Sequence, residues 1–493
     1  MEIKLVEKEK PIWLESFQEK RLGFSAESVV PDSQGDIARI VWTQGGLLLK
    51  GKELKPAGVV MEGEAWASVL YFSEEGALEG VRLSKSFRLD FDTPQPDPEA
   101  MPQLSWELER AEARALNPRK LAVSFSVRAR LWSFQRGSLS LETQVDNAPP
   151  GLHLLSVRTE ALSVTGVWEK SFTLREQFSV PEGKPIPRTL LGQTMSFQRL
   201  EPEQIGNRTI LKGELRLDVW GKDEAGSLAR CSFSLPFSQL LDTGEAAGDL
   251  WLARIEPSSI YLDWTEGLNG GLSLDAEIHA VAQLYLRNRQ EVSFLSDAYS
   301  SVAPLVLERT QRNILADLGK GSALLQGEER LPMPEDCADL LSVQSAWEPW
   351  ECDREGLRGT QDLELLYRRR DGELDCAHRS FTLKGEPLPE GARVLESLQR
   401  TPELHMEGDS LRVSTALELH WDKPVFAVQD AVTGLSLPNE NPWAGEKYPS
   451  LFLVAAGEES LWSLAKQYRS SVESIRAANP EGGELLLIPH EEA

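Results

Sequence analysis

The sequence predicts a mainly β protein. It reads as three tandem β-rich domains, sandwich or barrel-like, followed by a small α+β module in the order strand, helix, helix, strand. Three observations lead there. A stretch of alternating apolar and charged residues recurs three times along the chain. Each copy carries a second long hairpin pattern further on. After Pro449 the apolar period changes from that of strands to that of helices. The boundaries implied are 1–135, 136–299 and 300–436 for the β domains, 437–446 for a linker and 447–493 for the module.

The repeat is set by glycines. GEAWASVLYFSEEG from Gly63, GELRLDVWGKDEAG from Gly213 and GTQDLELLYRRRDG from Gly359 each place a second glycine 13 residues on, at Gly76, Gly226 and Gly372. Between them Ala67 and Val69, Leu217 and Val219, and Leu363 and Leu365 occupy the same two apolar positions. Charged neighbours such as Arg216, Asp218, Asp362 and Glu364 make the alternation of a half-buried strand. The second glycine follows a short charged tip, where a tight hairpin requires a positive φ. A Ser-Phe pair marks the returning strand: Ser86-Phe87, Ser232-Phe233 and Ser380-Phe381. Upstream, Val30-Pro31, Val180-Pro181 and Leu331-Pro332 precede the first glycine, with a shorter lead-in in the third copy.

The second hairpins run from Leu104 with a turn at Asn117-Pro118, from Ile255 to Ala282 with a turn at Gly270-Gly271, and from Ala392 with a turn at Gly408-Asp409. Short strands with polar, glycine-bearing turns are the pattern of a sandwich or barrel. Laid end to end, three such units would give an extended body with exposed strand edges, and self-assembly or assembly with a partner is expected from those edges. Two lysine- and arginine-bearing stretches, GKELKPAG from Gly51 and YRRRDG from Tyr367, read as exposed hairpin tips.

After the proline-punctuated linker PNENPWAGEKYP, Leu451 to Val454 reads as a strand. Ser460 is the expected N-cap of a helix whose apolar face is Leu461, Leu464, Ala465 and Tyr468. Ser470 and Glu473 are expected to form a capping box for a second helix carrying Val472 and Ile475 inward. Asn479-Pro480 ends that helix, and Leu485 to Ile488 closes the module as a strand.

This last stretch, GEESLWSLAKQYRSSVESIRAANP, resembles a LysM module. The phrases SFTLREQFSVPEGKPI, FLSDAYSS and VPDSQGDIARIVW resemble the SPOCS-domain family of spore-forming bacteria. In that family such domains occur in tandem and are often followed by LysM. The resemblance implies a sporulation scaffold that docks through its LysM onto the morphogenetic ATPase of the spore coat, on the mother-cell side of the forespore surface. In LysM relatives the ligand groove lies between the first loop and the loop before the last strand. The positions that match here are Gly457, Glu458, Glu459, Ser460, Leu461 and Trp462 on one side, and Ala478, Asn479 and Pro480 on the other. The first loop is one residue longer than the family pattern and carries two acids, and Glu481 to Leu485 replaces the usual glycine-glutamine phrase. Trp462 lies off the apolar stripe, as an interface anchor or as a packing residue. The rival reading is a peptidoglycan- or cortex-binding protein whose LysM takes an N-acetylated glycan.

Composition narrows the classes. With 52 basic against 77 acidic residues the chain lacks the basic balance of a duplex nucleic-acid binder. Its opening residues lack a secretory signal, no apolar run is long enough to span a membrane, and a cytoplasmic address is expected. Cys231, Cys337, Cys352 and Cys376 fit no zinc spacing and are expected as buried free thiols. The histidines (His153, His279, His378, His405, His420, His490) are dispersed, and no nucleophile elbow, phosphate loop or dinucleotide fingerprint occurs. No catalytic residue, metal or cofactor is therefore assigned, and the reading is of a protein that is not an enzyme.

Overall fold

The computed structural model describes residues 2–93, 97–99, 101–180, 187–223, 228–244, 248, 250–266, 272–400, 402–455 and 457–490. The protein is mainly β, with 76% of residues in strands and 3% in helices. Residues 2–145 supply β1 (Glu2–Ile3), β2 (Leu5–Val29), β3 (Ile37–Lys55), β4 (Gly58–Ser73), β5 (Leu78–Asp92), β6 (Gln103–Asn117) and β7 (Lys120–Val145). Residues 152–300 supply β8 (Leu152–Ser179), β9 (Thr189–Ile205), β10 (Arg208–Lys222), β11 (Leu228–Asp242), β12 (Leu250–Glu266) and β13 (Leu272–Ser300). Residues 306–436 supply β14 (Val306–Pro332), β15 (Cys337–Trp347), β16 (Glu351–Asp353), β17 (Gly356–Arg369), β18 (Leu374–Gly385), β19 (Arg393–Gln399), β20 (Glu403–Glu407) and β21 (Ser410–Ser436). The end of the chain supplies β22 (Leu451–Ala455), α1 (Leu461–Gln467), α2 (Val472–Ala478) and β23 (Leu485–Pro489).

Three segments of the chain make the same arrangement. In each, a meander centred on β4, β10 or β17 faces a ribbon of two long antiparallel strands: β2 with β7, β8 with β13, and β14 with β21. The second long strand also takes a shorter hairpin partner on its other edge: β6, β12, or the pair β19 and β20. In the first segment the inward residues of β4, such as Met61, Ala65 and Ala67, pack on Val123, Phe125 and Val127 of β7. Alternation along each strand puts one face into this core and the other outward. The repeat glycine of β4 exists because its neighbours occupy the space: a Cβ on Gly63 would lie 2.5 Å from the ring of Phe87, and one on Gly213 would lie 2.6 Å from Phe237. The meander turns use Gly76 at φ 79° and Gly372 at φ 93°. Their counterpart Gly226, like Pro181 and the Gly270-Gly271 turn, lies outside the described residues.

Cross-strand register corrects the Ser-Phe landmark. Phe87 faces Gly63 and Phe237 faces Gly213, whereas Leu383 faces Gly359. Phe233 and Phe381 instead face Leu217 and Gln361, so they are not the equivalents of Phe87. The spelling of the pair recurs, but its place in the ladder does not.

The segments are not laid end to end in an extended row. Leu70, Trp220 and Leu366, the same position after each repeat glycine, meet in one apolar cluster with Leu78, Leu228 and Leu374, which are equivalent in the same way. At the ribbon ends Leu5 and Val145 meet Leu295 and Ala298 and also Val432 and Leu435. Burying a side chain of this size stabilises by roughly 1.5–3 kcal/mol, so these shared clusters bind the segments to one another. β2 pairs with β8 at Trp13 and Val164, β7 pairs with β13 at Glu142 and Ser293, and β1 pairs with the end of β21 at Leu435 and Ser436. β7 runs unbroken to Val145, past the 135/136 boundary expected from the sequence, because its far end belongs to this shared bundle.

Polar groups are matched across the same joints. Gln283 receives the N–H of Leu104 and donates to its carbonyl, both at 2.8 Å. Arg393 donates to both oxygens of Asp422, at 2.7 and 2.8 Å, and to Glu15 at 3.2 Å; Glu15 also pairs with buried Arg287. Lys52, expected on an exposed tip, has a side chain only 4% exposed and pairs with Glu169 of the second segment. Burial lowers its pKa against the opposing pull of Glu169. The other tip stays at the surface, where Asp336 and Asp371 pair with Arg369. Of the four free thiols only Cys231 is fully buried; Cys352 is exposed.

Candidate functional site

β22 and β23 pair antiparallel, with Leu453 opposite Leu487, and α1 and α2 pack on one face of this ribbon. Alternation turns Phe452, Val454, Leu486 and Ile488 toward the helices, where they meet Leu464, Ala465 and Ile475. Ser460 caps α1 as expected, accepting the N–H of Ser463 at 3.1 Å. The cap of α2 is Ser471, which accepts the N–H of Ser474 at 3.0 Å; the expected cap, Ser470, is displaced by one position. Ser470 is fully buried and has another task. Its N–H reaches the carbonyl of Ala465, and its hydroxyl donates to the carbonyl of Pro489, tying α1 to β23.

The expected groove residues divide into two groups. Gly457, Glu458, Glu459 and Ser460 are exposed, as is Pro480 across the module. Trp462, Leu461 and Asn479 are engaged within the chain. The indole of Trp462 stands edge-on to Tyr299 of β13 at 4.8 Å and donates to Asp297 at 2.9 Å. Lys466, one turn along α1, donates to the same carboxylate at 2.7 and 2.9 Å, and Arg309 of β14 reaches it at 2.7 Å. The hydroxyl of Tyr299 donates to the carbonyl of Ser470 at 2.7 Å. Burial pushes the Asp297 carboxyl up, but the hydrogen bonds from Lys466 and Trp462 outweigh it and hold its pKa below the ordinary value. Leu461 packs in the module core. Asn479 donates to the carbonyls of Ile475 and Leu487 and accepts the N–H of Leu487, which occupies its amide in joining α2 to β23. Ala478 is half-buried beside it.

The 437–446 stretch is anchored rather than a free linker. Asn441 donates to the carbonyl of Val302, and Arg469, at φ 54°, stacks on Trp443 at 3.8 Å and on Tyr448 at 4.2 Å.

The side of the module away from its helices is bare. Leu451, Leu453, Leu485 and Leu487 are 53%, 62%, 55% and 38% exposed. Glu458, Glu459, Glu481 and Glu484 stand exposed at the loop end of this face. The leucines were legible as strand residues, and strict alternation with Phe452, Val454, Leu486 and Ile488 is the signal that would have put them outside.

Elsewhere, two of the clefts between segments hold titratable groups. One, of about 740 Å³, runs between β9 and β19 and is lined by Arg254, Glu256, Glu396, Arg400 and His420. Burial pushes the Glu256 carboxyl up to about 8, against the charges of Arg254 and Lys52. The other, of about 700 Å³, lies between β6 and β15 and holds Asp362, Glu364 and His378. Among the described residues no group of three or more His, Cys, Asp or Glu side chains is arranged to hold a metal, and no helix is long and apolar enough to cross a membrane. Comparison of the chain with protein-family models, with curated proteins and with solved structures finds no match in any of the three.

Proposed function

We propose that this protein is a non-catalytic scaffold or adaptor of endospore formation. Its β-rich segments form the body, and its LysM-like module docks onto a morphogenetic ATPase of the spore coat, on the mother-cell side of the forespore surface, to help coat assembly. The observation that carries this reading is how the module is mounted. One side is fixed to the body through Trp462, and the other presents four exposed leucines beside an acidic loop. An acetylated sugar needs donors and acceptors converging on an apolar floor. Here Asn479 is already spent on the backbone, and the bare face offers aliphatic carbon. Such a face fits a protein surface better than a glycan.

The test is a paired binding measurement on the full chain, against the purified coat ATPase and against purified peptidoglycan, with Leu453→Asp/Leu487→Asp as the variant. Saturable binding to the ATPase, weakened at least roughly tenfold in the variant, is the expected result; the loss of two apolar anchors is worth more than the 1.4 kcal/mol this requires. Binding to peptidoglycan with none to the ATPase overturns the proposal in favour of a cortex-binding protein.

A further inference from the structure

Four arginines are buried among the described residues: Arg128, Arg130, Arg254 and Arg287. A guanidinium taken out of water is strongly unfavourable unless a counter-charge and acceptors are brought to it. Three of the four have them. Arg128 donates to Glu109 at 2.6 Å, Arg130 to Glu19 at 3.0 Å, and Arg287 to Glu15. Arg254 of β12 has no carboxylate partner. It is 9% exposed, and neither of its terminal nitrogens has a hydrogen-bond partner. Its guanidinium lies 3.5 Å over the ring of Trp132, a contact that favours a cation but gives the N–H groups at its edge no oxygen to donate to. The hydroxyl of Tyr285 is near but makes no hydrogen bond of normal geometry. Burial pushes its pKa up to about 12, so it is neutral and offsets no charge.

The carboxyls around Arg254 are otherwise engaged or uncharged. Glu15 is taken by Arg287 and Arg393. Glu256 stands two residues along β12, on the same face by strand alternation. It is 7% exposed, and burial pushes its carboxyl up to about 8, so at neutral pH it carries a proton to donate. Arg254 and Glu256 both line the cleft of about 740 Å³ between β9 and β19. The other arginines lining it are paired: Arg199 with Glu214, Arg216 with Asp218 and Arg400 with Glu418. The uncompensated positive charge of this cleft is therefore at Arg254, beside a neutral donor.

We propose that this cleft binds an oxyanion, a carboxylate or phosphate group, with the guanidinium of Arg254 as its counter-charge and the carboxyl of Glu256 as a further donor. The two terminal nitrogens of a guanidinium match two oxygens of such a group. Both nitrogens lie below the surface of the cleft, so what reaches them is one small group rather than a broad face. The site lies in the body, and its occupancy does not depend on what the C-terminal module binds.

The test uses the full chain and two probes, inorganic phosphate and acetate, each against chloride at matched ionic strength. Equilibrium dialysis with labelled probe is read together with thermal melts of the same samples. Saturable binding and a raised melting temperature are expected with at least one probe, and the probe that gives them identifies which oxyanion the site takes. Arg254→Met keeps the aliphatic stem and removes the guanidinium. It is expected to bind at least roughly tenfold more weakly. In chloride it is expected to melt no lower than the parent, because it loses a buried charge that had no partner. Glu256→Leu removes the second donor and is expected to weaken binding about fivefold. The melts show that each variant is folded. No saturable binding of either probe overturns the proposal. So does binding that either substitution leaves unchanged, or an Arg254→Met chain that melts well below the parent in chloride, which would make Arg254 a structural residue.

Discussion

Between the first and third segments, Arg393 lies among Asp422, Glu15 and the ring of Phe17, on a floor of strands shared by all three segments. Between the body and the C-terminal module, one indole, one ammonium and one guanidinium converge on the single carboxylate of Asp297. The first joint lies over apolar clusters to which every segment contributes, so none of its segments can leave alone. The second is smaller: it rests on Tyr299, buried among Leu464, Ala465, Ile475 and Ile488 of the module, and on a few polar bonds beside it. The body is one cooperative unit assembled from repeats, and the module is a part mounted on it.

The largest test of that contrast is Asp422→Ala. It leaves Arg393 and Arg287 short of a carboxylate in a buried setting, which costs on the order of 3–5 kcal/mol. Urea unfolding should show the whole β body shifting to a lower midpoint as a single transition. A biphasic curve, with one segment melting separately, would break the claim of a single unit.

Trp462→Ala comes next. Losing a half-buried tryptophan and its hydrogen bond costs about 2–3 kcal/mol at that joint. The expected outcome is faster proteolytic cleavage between Leu437 and Tyr448, with the main thermal transition of the body unmoved.

Glu256→Gln sharpens the account of the inter-segment cleft. The carboxyl of Glu256 is held up to about 8 by burial, so the folded chain keeps its proton where the unfolded chain has lost it. Its contribution is therefore fully present below the ordinary glutamate value and is lost as pH rises toward the raised one. Thermal melts from acid to mildly alkaline pH should show the variant gaining on the parent as pH rises. A constant offset would contradict the assignment.

The smallest effect is expected from Asp297→Asn, roughly 1–2 kcal/mol at the module joint. The sign of its pH dependence is opposite. The carboxyl of Asp297 is held below its ordinary value, so its contribution is present above that value and is lost as pH falls through the depressed one. Module release followed by proteolysis in acid should be pH-dependent in the parent and flat in the variant.

What the sequence disclosed and what it withheld have separate physical causes. The meanders were legible because Gly63 and Gly213 sit where Phe87 and Phe237 leave no room for a Cβ, Gly359 sits in a tight place beside Leu325 and Trp347, and local alternation does the rest. The helices of the module were legible from Leu464, Ala465 and Ile475 at helical spacing. The cap of α2 was misplaced because two serines stand side by side, and only the contact of Ser470 with Pro489 decides between them. The wrapping of the segments around one another was not legible. It depends on Trp220 meeting Leu70 and Leu366, residues more than a hundred positions apart that no local pattern connects. The partner of Trp462 was hidden for the same reason: Tyr299 and Asp297 lie in another segment.

The pairing of Glu2 and Ile3 with Ser436 and Leu435 sets a timetable for biosynthesis. A chain made from its first residue onward presents β1 and β2 to the ribosome's surroundings long before β21 exists. Residues 2 and 3 must wait through more than four hundred further additions before their partner emerges. Until then β1 lacks its strand partner, although Leu5 already has Val145 of β7 opposite it, and Ile3 stays open to chaperones and to the strands of neighbouring nascent chains.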